Sequence, residues 1–228
     1  MLLQKENDLA VAKAEAFYDE SYTAMICKSD STIRLRRTYL FEPYLNDTHT
    51  VLDFGCGPGS LLDTLPAKTK SGVDISPPTR QIAASKGMDV REKLEDFQGQ
   101  SFDRIISAHA LEHVLDPAAK LVAIRNLLAP GGLFVLVLPM NEWSDRRQRK
   151  WYPNEKNQHL YTWTPLLLGN LLTVCGFEPV EIRTIHACSP PKVGPALLKI
   201  HPMLYRAASA LASRLIPKRQ VLAVSKRA

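Results

Sequence analysis

From His49 onward the chain alternates between two apolar rhythms. Short, largely apolar runs predict buried strands: "HTVLDF", "KSGVDI", "MDVREKL", "SFDRIISA" and "LFVLVLP" in turn. Between them lie stretches whose apolar residues recur every three or four positions, which predicts helices. "SLLDTL" is one, "PPTRQIAASKG" another with prolines at its start and glycine after its end, and "DPAAKLVAIRNLLAPGG" a third. After a polar insertion, "TPLLLGNLLTVCG" predicts a helix stopped at Gly176 and "FEPVEIRTIHA" a strand. "GPALLKIHPMLYRAASALASRLI" reads as helical, with Pro202 expected to bend or break it, and "RQVLAVSK" as the last strand.

Helices alternating with buried strands argue for an α/β fold. The expected form is a doubly wound, seven-stranded, mostly parallel sheet with helices on both faces. "DLAVAKAEAFYDESY" and "STIRLRRTYLFEPYL" also carry helical spacing, which gives an N-terminal helical cap over 1–45. The main domain is then 46–228, with an insertion at 140–162 and a basic helical elaboration at 190–217.

Composition changes this picture little. At 228 residues, 45% hydrophobic and 23% charged, the chain can bury a core without disulfide or metal staples. Cys27, Cys56, Cys175 and Cys188 are scattered, with no zinc spacing, which favours a reducing, cytoplasmic setting. Lys5 and Glu6 interrupt the start before any signal-peptide run, and no stretch approaches the roughly 20 apolar residues that span a bilayer. The protein is therefore expected to be soluble or at most peripheral to the inner face of the membrane.

Charge adds one asymmetry. The net charge is +6, and no acidic residue follows Glu181. A basic C-terminal region can meet anionic lipid, a phosphorylated substrate or nucleic acid, or remain a solvated surface.

Chemistry enters at "VLDFGCGPGSLL", where Gly55, Gly57 and Gly59 follow the first strand and precede a helix. In open parallel sheets, ligands bind beyond the carboxyl ends of the strands at such a turn. Asp74, at the end of the second strand, can accept the two hydroxyls of a ribose. A dinucleotide calls for G-x-G-x-x-G, but here the third glycine comes one residue early and Pro58 removes a backbone donor. Asp53 before the loop would repel phosphate and suits a cationic ammonium or sulfonium. That chemistry points to S-adenosyl-L-methionine.

"VLDFGCGPGSLL" resembles the first motif of the class I S-adenosylmethionine-dependent methyltransferases, and "GVDIS" their second-strand motif. "SFDRIISAHALEHVLDP" and "LLAPGGLFVLVLP" are similar to the fourth and fifth strands. "HLYTWTPLLLGNLLTVCGF" is similar to a later segment of small-molecule and sugar methyltransferases in that superfamily. The likeness covers 49–187 and implies a Rossmann-like fold. It also implies that Asp53, Gly55, Cys56 and Gly57 surround the methionine moiety, that Asp74 holds the ribose and that Ile75 packs on the adenine. Lys93 stands where an acid for the adenine edge is expected, so Glu95 or Asp96 substitutes. Ala108 and His109 approach the sulfonium end.

His109, Glu112 and His113 also form H-x-x-E-H, an inverted zinc-protease pattern. The surrounding strands are already explained by the methyltransferase likeness, so no metal is expected there. Methyl transfer to a hydroxyl benefits from a base that takes its proton. His159 in "NQHLYTW" is the first candidate, with Tyr161 beside it shaping the acceptor pocket, and His109 is the second. Trp143, Trp151, Tyr152 and Trp163, interleaved with Arg146, Arg147, Arg149 and Lys150, form a candidate acceptor-binding lid.

The expected function is methyl transfer to a small-molecule or lipid-linked acceptor, such as a sugar hydroxyl in polysaccharide or glycolipid assembly. Peripheral membrane contact through the basic C-terminal helical region is open. Methylation of RNA and a non-catalytic, cofactor-binding scaffold are the alternatives, and nucleic acid is not the expected partner. Neither the oligomeric state nor the acceptor atom is legible.

Overall fold

A computed structural model of the chain describes residues 37–140, 150–151, 159–186, 196–197, 200–215 and 219–228. Seven strands form one sheet: β1 (Thr50–Phe54), β2 (Thr69–Val73), β3 (Asp89–Arg91), β4 (Phe102–Ala108), β5 (Leu128–Pro139), β6 (Phe177–His186) and β7 (Arg219–Arg227). Their spatial order is β3-β2-β1-β4-β5-β7-β6. The pairs from β3 through β5 are parallel, and β7 runs antiparallel to both β5 and β6. The sequence-based expectation of a mostly parallel, doubly wound sheet is met.

Alternate residues of each buried strand feed two separate cores, one on each face. Leu52, Ile105, Phe134 and Leu136 pack with Leu121 and Ile124 of α3 (Pro117–Leu127) and with Leu168 and Leu172 of α4 (Pro165–Val174). Val51, Ile106, Val135 and Val137 pack with Leu61 and Leu62 of α1 (Ser60–Thr64) and with Ala83 of α2 (Pro77–Ser85). Leu40 and Phe41, from the helical residues 37–41, complete this second core, so the described end of the N-terminal cap rests on the sheet.

Local chemistry starts the helices where the sequence signals do. Asp116 accepts from the Ala119 N–H at 2.9 Å ahead of Pro117, and Thr164 accepts from Leu167 at 3.2 Å ahead of Pro165. The last helical stretch is broken at Pro202 as expected: residues 196–197 and 200 are helical, His201 is not, and the helix α5 (Pro202–Leu215) begins at the proline. The imidazole Nδ1 of His201 accepts from the Met203 N–H at 3.2 Å.

Two elements differ from expectation. The third strand covers only Asp89–Arg91, because the Asp96 carboxylate accepts from the Lys93 N–H at 3.0 Å and winds Leu94–Phe97 into a 3-10 turn. That turn places Leu94 and Phe97 in the same core, whereas on a strand residues three apart point to opposite faces. The third predicted helix stops at Leu127, and "LAPGG" enters β5 through a register irregularity opposite Phe102 and Arg104. Among the described residues no helix is long and apolar enough to cross a membrane.

Candidate active site

The carboxyl ends of β1, β2 and β4 meet at one edge, and the glycine loop lies across it. The N–H groups of Gly55 and Cys56 both bond to the Val73 carbonyl, at 2.8 and 3.0 Å, which pins the loop to the end of β2. Gly55 has φ +78°, and a Cβ there would stand 2.3 Å from the Cβ of Ala110. The loop therefore touches the "HALEH" turn after β4 with no room for a side chain. Gly57 has φ +53° and open space where its Cβ would be, so its backbone faces a free volume.

Asp53 lies 2% exposed beneath this loop, and its Oδ1 accepts no hydrogen bond. Burial raises its carboxyl to about 7, the Arg37 charge opposing and Asp74 adding to the rise. A buried carboxyl with an open acceptor lobe, two residues before the glycine loop, fits a cationic ligand group. Asp74 is more committed. Its Oδ2 accepts from the Gly57 N–H at 2.8 Å, and its Oδ1 accepts from the Ser76 N–H at 2.9 Å and the Thr79 hydroxyl at 2.8 Å. A carboxylate has about four lone-pair positions, so Asp74 both shapes the loop and keeps capacity for a ribose hydroxyl. Ile75 is 38% exposed beside it, an apolar side chain placed to cover a flat ring.

The remaining expected cofactor contacts divide. The Cys56 thiol faces inward, since a Cβ at Gly72 would come within 2.6 Å of its Sγ. Burial first, and then Asp53 and Asp74, hold that thiol protonated, so only the backbone of Cys56 faces the ligand side. Glu95 pairs with Lys120 at 3.2 Å and Asp96 is spent on its cap, which leaves Glu95 as the more available acid. Ala108 ends β4, and its carbonyl accepts from Arg37 Nη1 at 3.3 Å.

His109 has φ +58°, the one positive φ on a non-glycine among the described residues. Its N–H bonds to Val137 O at 2.9 Å, which fixes this left-handed step between β4 and the 3-10 turn Leu111–His113. The turn carries Glu112 into the interior, where its side chain is fully buried. One oxygen, Oε1, is approached by His109 Nδ1 at 3.6 Å, His113 Nε2 at 3.9 Å and His159 Nε2 at 3.9 Å. His159 arrives from the far side of the insertion because the Leu160 N–H bonds to Glu112 O at 2.9 Å. Burial raises the Glu112 carboxyl to about 7, its own backbone N–H and the Arg37 charge opposing.

Tyr161 helps to fix the same segment. Its hydroxyl donates to Leu115 O at 2.8 Å and its ring lies 5.8 Å from that of Trp163, so it anchors the segment carrying His159. Trp163 is in the core and Trp151 is 88% exposed, while Trp143, Arg146, Arg147, Arg149 and Tyr152 lie outside the described residues. Sequence reasoning missed Arg37, and it treated Glu112 only as part of a zinc-protease pattern. The signal for Glu112 was available: one acid in the apolar setting "ALEHVL".

A family model for the methyltransferase domain matches residues 28–182, and the chain belongs to that family of S-adenosyl-L-methionine-dependent methyltransferases. A ubiquinone biosynthesis O-methyltransferase of Dinoroseobacter shibae is 30% identical over 150 residues, covering 58% of this chain and 60% of that protein. The corresponding protein of Cereibacter sphaeroides is 30% identical over 157 residues, covering 58% of this chain and 61% of its own. The chain thus matches about three fifths of the length of these curated relatives. Among solved structures, an S-adenosylmethionine-dependent methyltransferase of Thermotoga maritima superposes with a TM-score of 0.67 at 17% identity, over 94% of this chain and 100% of the other. With family membership goes the methyl donor, which the Asp53, Gly57, Asp74 and Ile75 environment fits.

Proposed function

We propose that the chain transfers a methyl group from S-adenosyl-L-methionine to a hydroxyl oxygen of a small or lipid-linked acceptor. One observation carries this reading: the contact of Gly55 with Ala110, which sets a cluster of imidazoles directly beside the cofactor loop. When bound, the cofactor supplies an electrophilic methyl group on a cationic sulfur. Asp53 would hold its cationic end, Gly57 and Ile75 would flank it, and Asp74 would hold the ribose.

Transfer to oxygen needs the acceptor deprotonated as the bond forms, and imidazole is the side chain whose proton affinity suits neutral pH. An imidazole of this cluster, His159 or His109, takes the hydroxyl proton, with Glu112 beside both to favour the imidazolium. The strained backbone at His109 holds a second imidazole between loop and turn. The likeness to ubiquinone biosynthesis O-methyltransferases favours a hydroxylated precursor of that kind of molecule over a sugar.

A lipid-soluble acceptor also suits α5, which carries no acidic residue and exposes Met203, Leu204 and Leu211. Such a face can rest on an anionic bilayer from the cytoplasmic side. The test measures S-adenosylhomocysteine formed with hydroxylated aromatic lipids, glycolipids and RNA, in the presence of anionic or neutral vesicles. Turnover with a hydroxylated aromatic lipid, enhanced by anionic vesicles, is the expected result. Turnover restricted to RNA or to amine acceptors overturns the proposal.

A further inference from the structure

The Glu112 carboxylate is fully buried, and neither of its oxygens has a hydrogen-bond partner. Burying a carboxylate without such partners is costly, and structures keep such groups where something else compensates them. The three imidazole nitrogens around Oε1, at 3.6, 3.9 and 3.9 Å, do not serve as donors to it. N–H···O bonds run to about 3.2 Å, and these contacts are longer.

The spacing matches a different arrangement. One ligand atom from each of Glu112, His113 and His159 lies within 4.8 Å of the other two. Ligands held at about 2.1 Å around a tetrahedral zinc-like ion stand about 3.4 Å apart. The two 3.9 Å oxygen–nitrogen distances would close by about half an ångström onto such an ion. The rings of His113 and His159 meet edge to face, with centroids 5.0 Å apart.

We propose that Glu112, His113 and His159 form a site for a first-row transition-metal dication of the Zn2+ type, with one coordination position left open. Two imidazoles in a set of three select against Mg2+ and Ca2+, which take oxygen donors. This is not the arrangement that H-x-x-E-H suggests, in which both histidines of one helix bind and the glutamate acts as base. The left-handed step at His109 and the 3-10 turn break that helix face. Glu112 is a ligand instead, and the third donor comes from beyond the insertion.

Resting on the proposed hydroxyl methylation, an ion held there would supply Lewis-acid chemistry to the acceptor oxygen at its open position. His159 would then serve as a ligand, and His109 would take the hydroxyl proton.

The test uses the full chain, stripped with a chelator and dialysed, and titrated with Zn2+ against a chromophoric chelator and with Co2+ by visible absorption. One equivalent is expected to bind, with tetrahedral Co2+ bands, and millimolar Mg2+ should not compete. His159→Ala and Glu112→Gln should each weaken Zn2+ binding at least tenfold, while S-adenosylhomocysteine affinity by calorimetry stays within twofold and certifies the fold. His109→Asn should keep the metal. Absence of stoichiometric binding, unchanged affinity in His159→Ala, or displacement by Mg2+ overturns the proposal. Because no acceptor is needed, a protein that binds Zn2+ but methylates nothing would reject the proposed function and leave the metal site standing.

Discussion

Arg37 donates through Nη1 to the carbonyl of Ala108 at 3.3 Å, and from that position its charge bears on two buried acids, Asp53 and Glu112. The end of the N-terminal helix thus supplies a cation to the floor of a site that the sheet builds.

Replacing Arg37 removes that counter-charge. The expected result of Arg37→Ala is a cofactor affinity lower by about tenfold, or ~1.4 kcal/mol, with Arg37→Lys intermediate. Isothermal calorimetry with S-adenosylhomocysteine reads this directly, and an unchanged affinity would remove Arg37 from the site.

Asp53 sets a pH dependence. Its carboxyl is raised to about 7, so below that pH it is largely protonated in the empty protein. A cationic ligand group favours the ionised form and must displace the proton. Affinity for S-adenosyl-L-methionine is therefore expected to climb as pH rises toward about 7 and to level off above it, with proton release on binding. For the empty fold the sign is opposite. A raised carboxyl destabilises progressively as pH rises from the ordinary carboxylate range through about 7. Asp53→Asn should flatten both dependences, and a steep binding profile in that variant would contradict the assignment.

Gly55 and Gly57 separate conformation from space. Gly55→Ala meets Ala110 at 2.3 Å and needs a left-handed residue as well, so it should lose more than about 2 kcal/mol in denaturant unfolding. Gly57→Ala has room and should cost about 1 kcal/mol of stability. Its methyl group would still enter the volume assigned to the ligand, so binding should fall further than stability does. Equal loss of binding and stability at Gly57 would count against a ligand there.

His109 carries backbone strain of about 1–3 kcal/mol that a glycine would not bear. His109→Gly is expected to unfold at a temperature no lower than the parent while losing most turnover. His109→Val, forced into the same left-handed step, should be clearly less stable. A destabilised glycine variant would show that the imidazole holds the fold.

The central strands were legible because they are buried on both sides and so read as compact apolar runs, Leu52 and Ile105 facing one core and Val51 and Ile106 the other. Helix starts were legible from Asp116–Pro117 and Thr164–Pro165, where one hydroxyl or carboxylate decides the cap. The glycine loop and Asp74 were legible because their chemistry is local. The cluster at Glu112 was not, because His159 reaches it only through a tertiary hydrogen bond from Leu160, for which no spacing rule exists. Arg37 stayed hidden for the same reason, and the short third strand because an Asp96 cap outweighed the propensity of "VREKL".

The position of β7 between β5 and β6 has a consequence for biosynthesis. During translation β6 emerges with no neighbour to pair with, and the long apolar margin of β5 stays open until Arg219–Arg227 leave the ribosome. The nascent chain must carry an unfinished half-sheet through the synthesis of about thirty residues, a state that invites intermolecular strand pairing. Shielding by a holdase, or a pause near the start of β7, would bear on yield more than any change at the catalytic edge.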